Sequence, residues 1–138
     1  MESSSGSVVP LIGRILICPV FVMSGVSKIL FFSMMTSVVA AAHLPLPTVS
    51  LTCAMLIEIL GGLAILTGFH ARLAAWIVFL FLIPTTLVFH NFWVLQGPAR
   101  QGSMGEFEKN LAIMGGLLIL ATFGAGSYSF DAKRAPKR

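Results

Sequence analysis

Residues 49–92 read VSLTCAMLIEILGGLAILTGFHARLAAWIVFLFLIPTTLVFHNF. Two apolar runs, 49–67 and 71–92, flank the short turn Gly68-Phe69-His70-Ala71-Arg72. Each run is close to the roughly 20 residues that a helix needs to cross the hydrocarbon layer of a bilayer. A turn this short joins antiparallel neighbours, so the segment reads as a membrane-spanning helical hairpin.

Working outward, a third run covers 11–32 and a fourth lies near the C-terminus. The apolar part of the fourth begins only at Leu111. Ser103-Met-Gly-Glu106, however, has the spacing of a capping box, which predicts a helix over 104–124. Gly124 and Gly126 follow as natural stops. The expected fold class is an all-α membrane protein, a bundle of four transmembrane helices. A tail of residues 1–10 precedes the membrane domain 11–128, and a basic tail, 129–138, follows it. The run 11–32 has no positive charge before Arg14 and exceeds the usual signal-peptide core, so it is expected to be a retained helix. Between the first two spans, Met34, Met35, Val38, Val39 and Ala42 share one helical face. The stretch 33–42 is either a short interfacial helix or a plain loop.

Composition agrees. The chain has 138 residues, 57% hydrophobic and 10% charged, and a mean hydropathy of +0.93. Soluble domains carry roughly 25% charged residues, and too little polar material is present here to coat one. The partner implied first is therefore the lipid bilayer. The net charge of +4 does not indicate nucleic acid, because four of the nine basic residues sit in the last six positions and the rest are scattered. Lys and Arg counts give orientation. Arg14, Arg72, Lys133, Arg134, Lys137 and Arg138 fall on one side, Lys28, Arg100 and Lys109 on the other. The expectation is a multi-pass protein of a plasma (inner) membrane with both termini cytoplasmic.

Ionisable groups inside a span are costly and normally face the bundle interior. On the first span, Arg14, Cys18, Phe21, Ser24, Gly25 and Lys28 form one stripe at helical spacing. Glu58 on the second span has Ala54, Gly61 and Gly62 on its face, which predicts a niche around the carboxylate. His90 and Asn91 end the third span, with Thr86 one turn before, and Lys109 and Asn110 open the fourth. At about 1.5 Å rise per residue, Lys28 lies roughly 6 Å and Glu58 roughly 14 Å below the same membrane edge. Side chains lean toward their helix N-terminus, so these two lean together and are expected to pair with His90 nearby, while Arg14 leans away. Three readings stay open: an ion pair that only holds helices, a pocket for a ligand, proton or quinone, or a snorkelling Lys28 that leaves Glu58 alone.

No metal site is expected, since His43, His70 and His90 share no depth. Cys18 and Cys53 should lie roughly 13 Å apart in depth, too far for a disulfide, and both default to buried thiols. Trp76 and Trp93 suit interfacial anchoring. Ile59-Leu-Gly-Gly-Leu-Ala-Ile-Leu66 echoes Ile113-Met-Gly-Gly-Leu-Leu-Ile-Leu120, through either an old duplication or close packing at small residues.

Five pieces in order, namely Gly13-Arg14…Ser24-Gly25-Val-Ser-Lys28, Glu58-Ile-Leu-Gly61-Gly62, Phe89-His90-Asn-Phe92-Trp93, Glu108-Lys109-Asn110…Gly115-Gly116 and Gly126-Ser-Tyr-Ser-Phe-Asp131, resemble the DoxX family of small bacterial inner-membrane proteins. The resemblance covers about residues 11–131. It implies an accessory membrane subunit, not an enzyme on its own, linked in some members to redox complexes such as a quinone-dependent oxidoreductase. The family's recurrent polar positions fall on Arg14, Lys28, Glu58, His90, Lys109 and Asn110. Similar bundles include membrane chaperones and cargo receptors. The expected ligand is a quinone or another lipophilic small molecule, and the expected partners are redox or other membrane proteins. The rivals are a structural, chaperone-like partner protein and a small transporter acting as a homo-oligomer. A hydrated path joining Arg14 to Lys28 would mark the transporter.

Overall fold

The computed structural model describes residues 7–134, so residues 1–6 and the Lys137 and Arg138 end of the basic tail lie outside the described residues. Its helices are α1 (Val9–Leu30), α2 (Phe32–Ala41), α3 (Pro47–Thr67), α4 (Ala71–Phe89), α5 (Gly97–Phe123) and the short α6 (Phe130–Arg134). Among the described residues, α1, α3 and α4 with the turn after it are long and apolar enough to cross a membrane. With α5 they form a four-helix membrane bundle.

Local sequence explains the boundaries. Pro10 and Pro47 stand in the first turns of α1 and α3, where a missing N–H costs nothing. Gly68, at φ 69°, closes α3: Gly68 N donates to Ile65 O at 3.2 Å and Phe69 N to Ala64 O at 3.0 Å. This paired pattern needs a left-handed residue, which glycine supplies without strain. The chain then turns through His70 directly into α4.

Two boundaries differ from the sequence reading. The third span stops as a helix at Phe89. His90 caps it, and a 3-10 turn over Phe92–Val94 follows. Phe92 and Trp93 dock edge-on against Phe107 of α5, at 5.4 and 6.0 Å between centroids, which fixes the break. The second difference is in α5, which starts at Gly97 rather than near 104, with Pro98 in its first turn. Ser103 is therefore interior to the helix, and its hydroxyl makes no hydrogen bond among the described residues, so the capping box does not form. Proline's fixed φ starts the helix earlier than a side-chain cap could.

The stretch 33–42 is a helix, α2, which lies mainly against α3 and more lightly on α1. The main packing runs α1 on α3, α3 on α4 and α4 on α5. Ile17 of α1 closes the ring: a Cβ at Gly116 of α5 would stand 3.4 Å from its side chain. Glycines set the close approaches. A Cβ at Gly25 would fall 2.4 Å from Ile59, one at Gly62 3.1 Å from Phe21 and Val22, and one at Gly61 2.5 Å from Val78. In the echoed pair Gly115 behaves differently, since nothing lies within 4 Å of a Cβ there, and a Cβ at Gly116 would make only ordinary contact.

The buried centre is Phe21, Ile65, Ala75, Val78, Leu82 and Leu117 with their neighbours. It separates two polar stations, one at each end of the bundle. At the end where the described chain begins and ends, Arg14 is 2% exposed. Its guanidinium donates to Ile65 O, Leu66 O at 2.7 Å and Tyr128 O. Arg14 thus satisfies Leu66 O, a carbonyl that the end of α3 would leave unpaired.

Candidate functional site

The other station is built from α1 and α3. The α1 stripe turns inward as its spacing requires, with Arg14, Cys18, Phe21 and Gly25 buried. One turn beyond Gly25, the Lys28 ammonium donates to Glu58 Oε1 at 2.9 Å and to Ser24 Oγ at 2.7 Å. Ser24 Oγ in turn donates to Glu58 Oε1 at 3.2 Å. Glu58 Oε2 also stands 2.9 Å from the ammonium, but outside hydrogen-bonding angles, so it is a buried acceptor without a hydrogen bond. Glu58 is 5% exposed. Removing two charges from water costs several kcal/mol per ion, and only close pairing with added hydrogen bonds offsets it. Ser24 supplies those bonds.

The pair forms part of the wall of a cavity of about 620 Å³. Around it stand Phe21 and Val20 of α1, Leu51, Ala54 and Ile57 of α3, and Phe81, Leu82 and Pro84 of α4. Met35, Val38 and Val39 of α2 add an apolar wall, and Glu106, Lys109 and Asn110 bring in α5. His90 lines it as well. A second polar pair ties α5 to α4, with Asn110 Nδ2 donating to the buried Thr86 Oγ1 at 3.0 Å. Lys109 pairs with Glu106 one turn away, both half exposed.

The structure thus gathers Lys28, Glu58, Ser24, His90, Lys109 and Asn110 around one space. Thr86 backs it through Asn110. The remaining candidates sit elsewhere. Asn91 lies outside the lining, because the helix has already ended and its carbonyl accepts from Val94 N at 3.1 Å. Arg14 belongs to the opposite end. Gly25, Gly61 and Gly62 leave no niche beside Glu58, because side chains of adjacent helices fill the space over each. The room lies instead on the Ala54 side. Cys53 also departs from expectation, being exposed and part of the lining while Cys18 is buried. Among the described residues no cluster of three or more metal-ligating side chains occurs.

Sequence reasoning missed the role of α2, of Cys53 and of Glu106. The apolar face over 34–42 was the available signal for α2. At the opposite end it missed Asp131, whose carboxylate accepts from His70 N and Ala71 N.

Comparison with known proteins agrees with this architecture. The family model described as DoxX matches residues 9–91. The chain is 29% identical over 123 residues to "Inner membrane protein YphA" of Escherichia coli (strain K12), covering 89% of this chain and 88% of that protein. It is 36% identical over 121 residues to "Inner membrane protein YqjF" of the same organism, covering 88% of each. A shorter match, 30% over 80 residues, reaches "ER-derived vesicles protein ERV29" of Saccharomyces cerevisiae and covers 58% of this chain but 26% of that one. No solved structure matches. The profile spans more than half the chain and two bacterial relatives align over nearly all of it, on a bundle whose first four helices carry the matched segment: this multi-pass membrane protein belongs to the DoxX family.

Proposed function

We propose that the chain is an accessory, redox-linked subunit of a bacterial inner-membrane complex, with both termini cytoplasmic, whose cavity holds the polar head of a quinone-like lipophilic molecule. The observation that carries this reading is the Lys28–Glu58 pair in the wall of a cavity of about 620 Å³ whose other walls are mainly apolar. A pair serving only to staple α1 to α3 needs no open space beside it. Apolar walls accept the ring and tail of such a ligand, and a few convergent polar groups orient its head. The Lys28 ammonium donates to a carbonyl oxygen, and Glu58 or His90 relays the proton when a partner subunit supplies electrons. Family relatives whose names place them in an inner membrane support the location, and the six-to-three distribution of Lys and Arg supports the orientation.

Ultraviolet titration of the purified protein with a short-tailed quinone tests this. Saturable binding is expected in the wild type, weakened about tenfold in Glu58→Gln, the scale of one hydrogen bond to a charged group. Equal binding, or none in either protein, removes the reading. A second reading is a chaperone-like partner protein in which the polar set serves packing alone. The ion pair bridging two helices favours it. It expects Glu58→Gln combined with Lys28→Met to keep cellular function and a stable partner to co-purify.

A further inference from the structure

The seam between α3 and α4 carries a second concavity on the bundle's outer surface, about 480 Å³ in volume. Gly61 and Ala64 of α3 and Ala74 of α4 are small and make its floor, while Leu56 and Leu73 rise as walls. It runs from the level of Leu56 to Phe69 and His70 at the bundle's terminal end. The helix from Leu56 to its end at Thr67, at about 1.5 Å per residue, makes it roughly 17 Å long before the turn. One leaflet's share of a hydrocarbon core about 30 Å thick is shorter than that, so the groove reaches from mid-membrane to the headgroup layer.

Its headgroup end is basic. The Arg134 guanidinium lies 5.4 Å from the Phe69 ring, and the Lys133 ammonium lies 5.5 Å from the Phe130 ring. Both side chains are exposed, as is His70. The nearby carboxylate, Asp131, is engaged by His70 N at 2.7 Å and Ala71 N at 2.9 Å, at the positive end of α4. Arg72 turns the other way, across Gly124 at the end of α5.

We infer that this groove is a binding site for an anionic glycerophospholipid of the adjoining leaflet, one acyl chain lying over Ala64 between Leu60 and Leu73 and the phosphate meeting His70, Lys133 and Arg134. Charge complementarity selects this occupant. A second copy in the same orientation sets its own Lys133 and Arg134 against these, like against like, whereas a phosphate neutralises them. Ile57 borders both this groove and the cavity beside Glu58, but the inference does not depend on the cavity's ligand.

Native mass spectrometry after release from nanodiscs of equal phosphatidylglycerol and phosphatidylcholine tests the inference. The wild type is expected to retain one phosphatidylglycerol in preference to phosphatidylcholine. Lys133→Gln with Arg134→Gln lowers that preference about thirtyfold, following the roughly 1 kcal/mol that each of the two basic residues contributes near a membrane surface. Leu73→Trp crowds the groove and lowers retention of both lipids. Should the double variant fold poorly, added salt on the wild type serves instead, reducing phosphatidylglycerol retention alone. Equal retention of the two lipids by the wild type overturns the inference. So does undiminished phosphatidylglycerol on the folded double variant, or a lipid-free dimer cross-linked through Leu60→Cys.

Discussion

Asp131 reaches back sixty-one residues to His70: its Oδ1 accepts the His70 amide at 2.7 Å while Oδ2 accepts the next amide, that of Ala71, at 2.9 Å. The residue that caps α4 is thus supplied by the far end of the chain, and Asp131 N returns a bond to Gly68 O at 2.9 Å. Asp131→Ala is expected to cost about 1 kcal/mol, the usual scale of a lost N-cap. Asp131→Asn should lose less, because it keeps one acceptor. Thermal unfolding in detergent measures both.

Among the described residues, Arg14 gives its hydrogen bonds to backbone carbonyls, and the Asp131 carboxylate acts on it only through its charge. In Arg14→Met the Leu66 and Tyr128 carbonyls lose their donor, each at a cost of about 1–3 kcal/mol where water cannot replace it, while Ile65 O keeps the Gly68 amide. Unfolding measurements should show a loss of about 3 kcal/mol or more on that scale. Ligand binding at the opposite station should be unchanged in the protein that remains folded.

For Lys28 and Glu58, breaking one half is expected to be worse than removing both. Lys28→Met strands a carboxylate that is 5% exposed, a loss of about 3 kcal/mol on the scale of broken buried pairs. Adding Glu58→Gln should recover most of it. A double-mutant cycle by equilibrium unfolding reads the difference, and additive losses would contradict it.

Two glycines make a matched contrast. Gly25→Val drives side-chain atoms into Ile59, where a Cβ alone already falls 2.4 Å away, and should cost about 1–3 kcal/mol by overpacking. It also wedges α1 from α3 one turn below Lys28, so the cavity ligand should bind more weakly. Gly115→Ala meets nothing within 4 Å and should gain up to about 1 kcal/mol from helix propensity. Thermal unfolding of the two variants side by side provides the comparison.

The cysteines report on occupancy. Cys53 is exposed and lines the cavity, whereas Cys18 is 6% exposed. A membrane-permeant maleimide is expected to label Cys53 first, and a bound ligand should slow that labelling. Labelling of Cys18 at an equal rate would contradict the packing described.

Hydropathy made the spans readable, because lipid imposes one rule along the whole chain. It also made the Lys28–Glu58 contact readable: few charges were available, and helix direction said which way each leaned. The limits are equally physical. Arg14 found backbone carbonyls, which every residue carries and no sequence distinguishes. The small size of Gly61 and Gly62 was visible, but Val78 and Phe21, which fill the space over them, belong to other helices. Asn91 looked like a continuation of its helix until aromatic docking of Phe92 and Trp93 on Phe107 fixed the break. The early start of α5 came from Pro98, a local signal outweighed in the reading by the spacing of Ser103 and Glu106.

The cavity wall carries ion pairs at two depths. The side chains of Lys109 and Glu106 are 47% and 50% exposed, within reach of dissolved ions, while those of Lys28 and Glu58 are 22% and 6% exposed. At about 0.15 M salt, screening acts over about 8 Å in water, and buried pairs escape much of it. The two pairs therefore answer to different media, the outer one to the electrolyte and the inner one to its own low-dielectric surroundings. A change of buffer loosens the rim of the cavity and leaves its charged floor as it was.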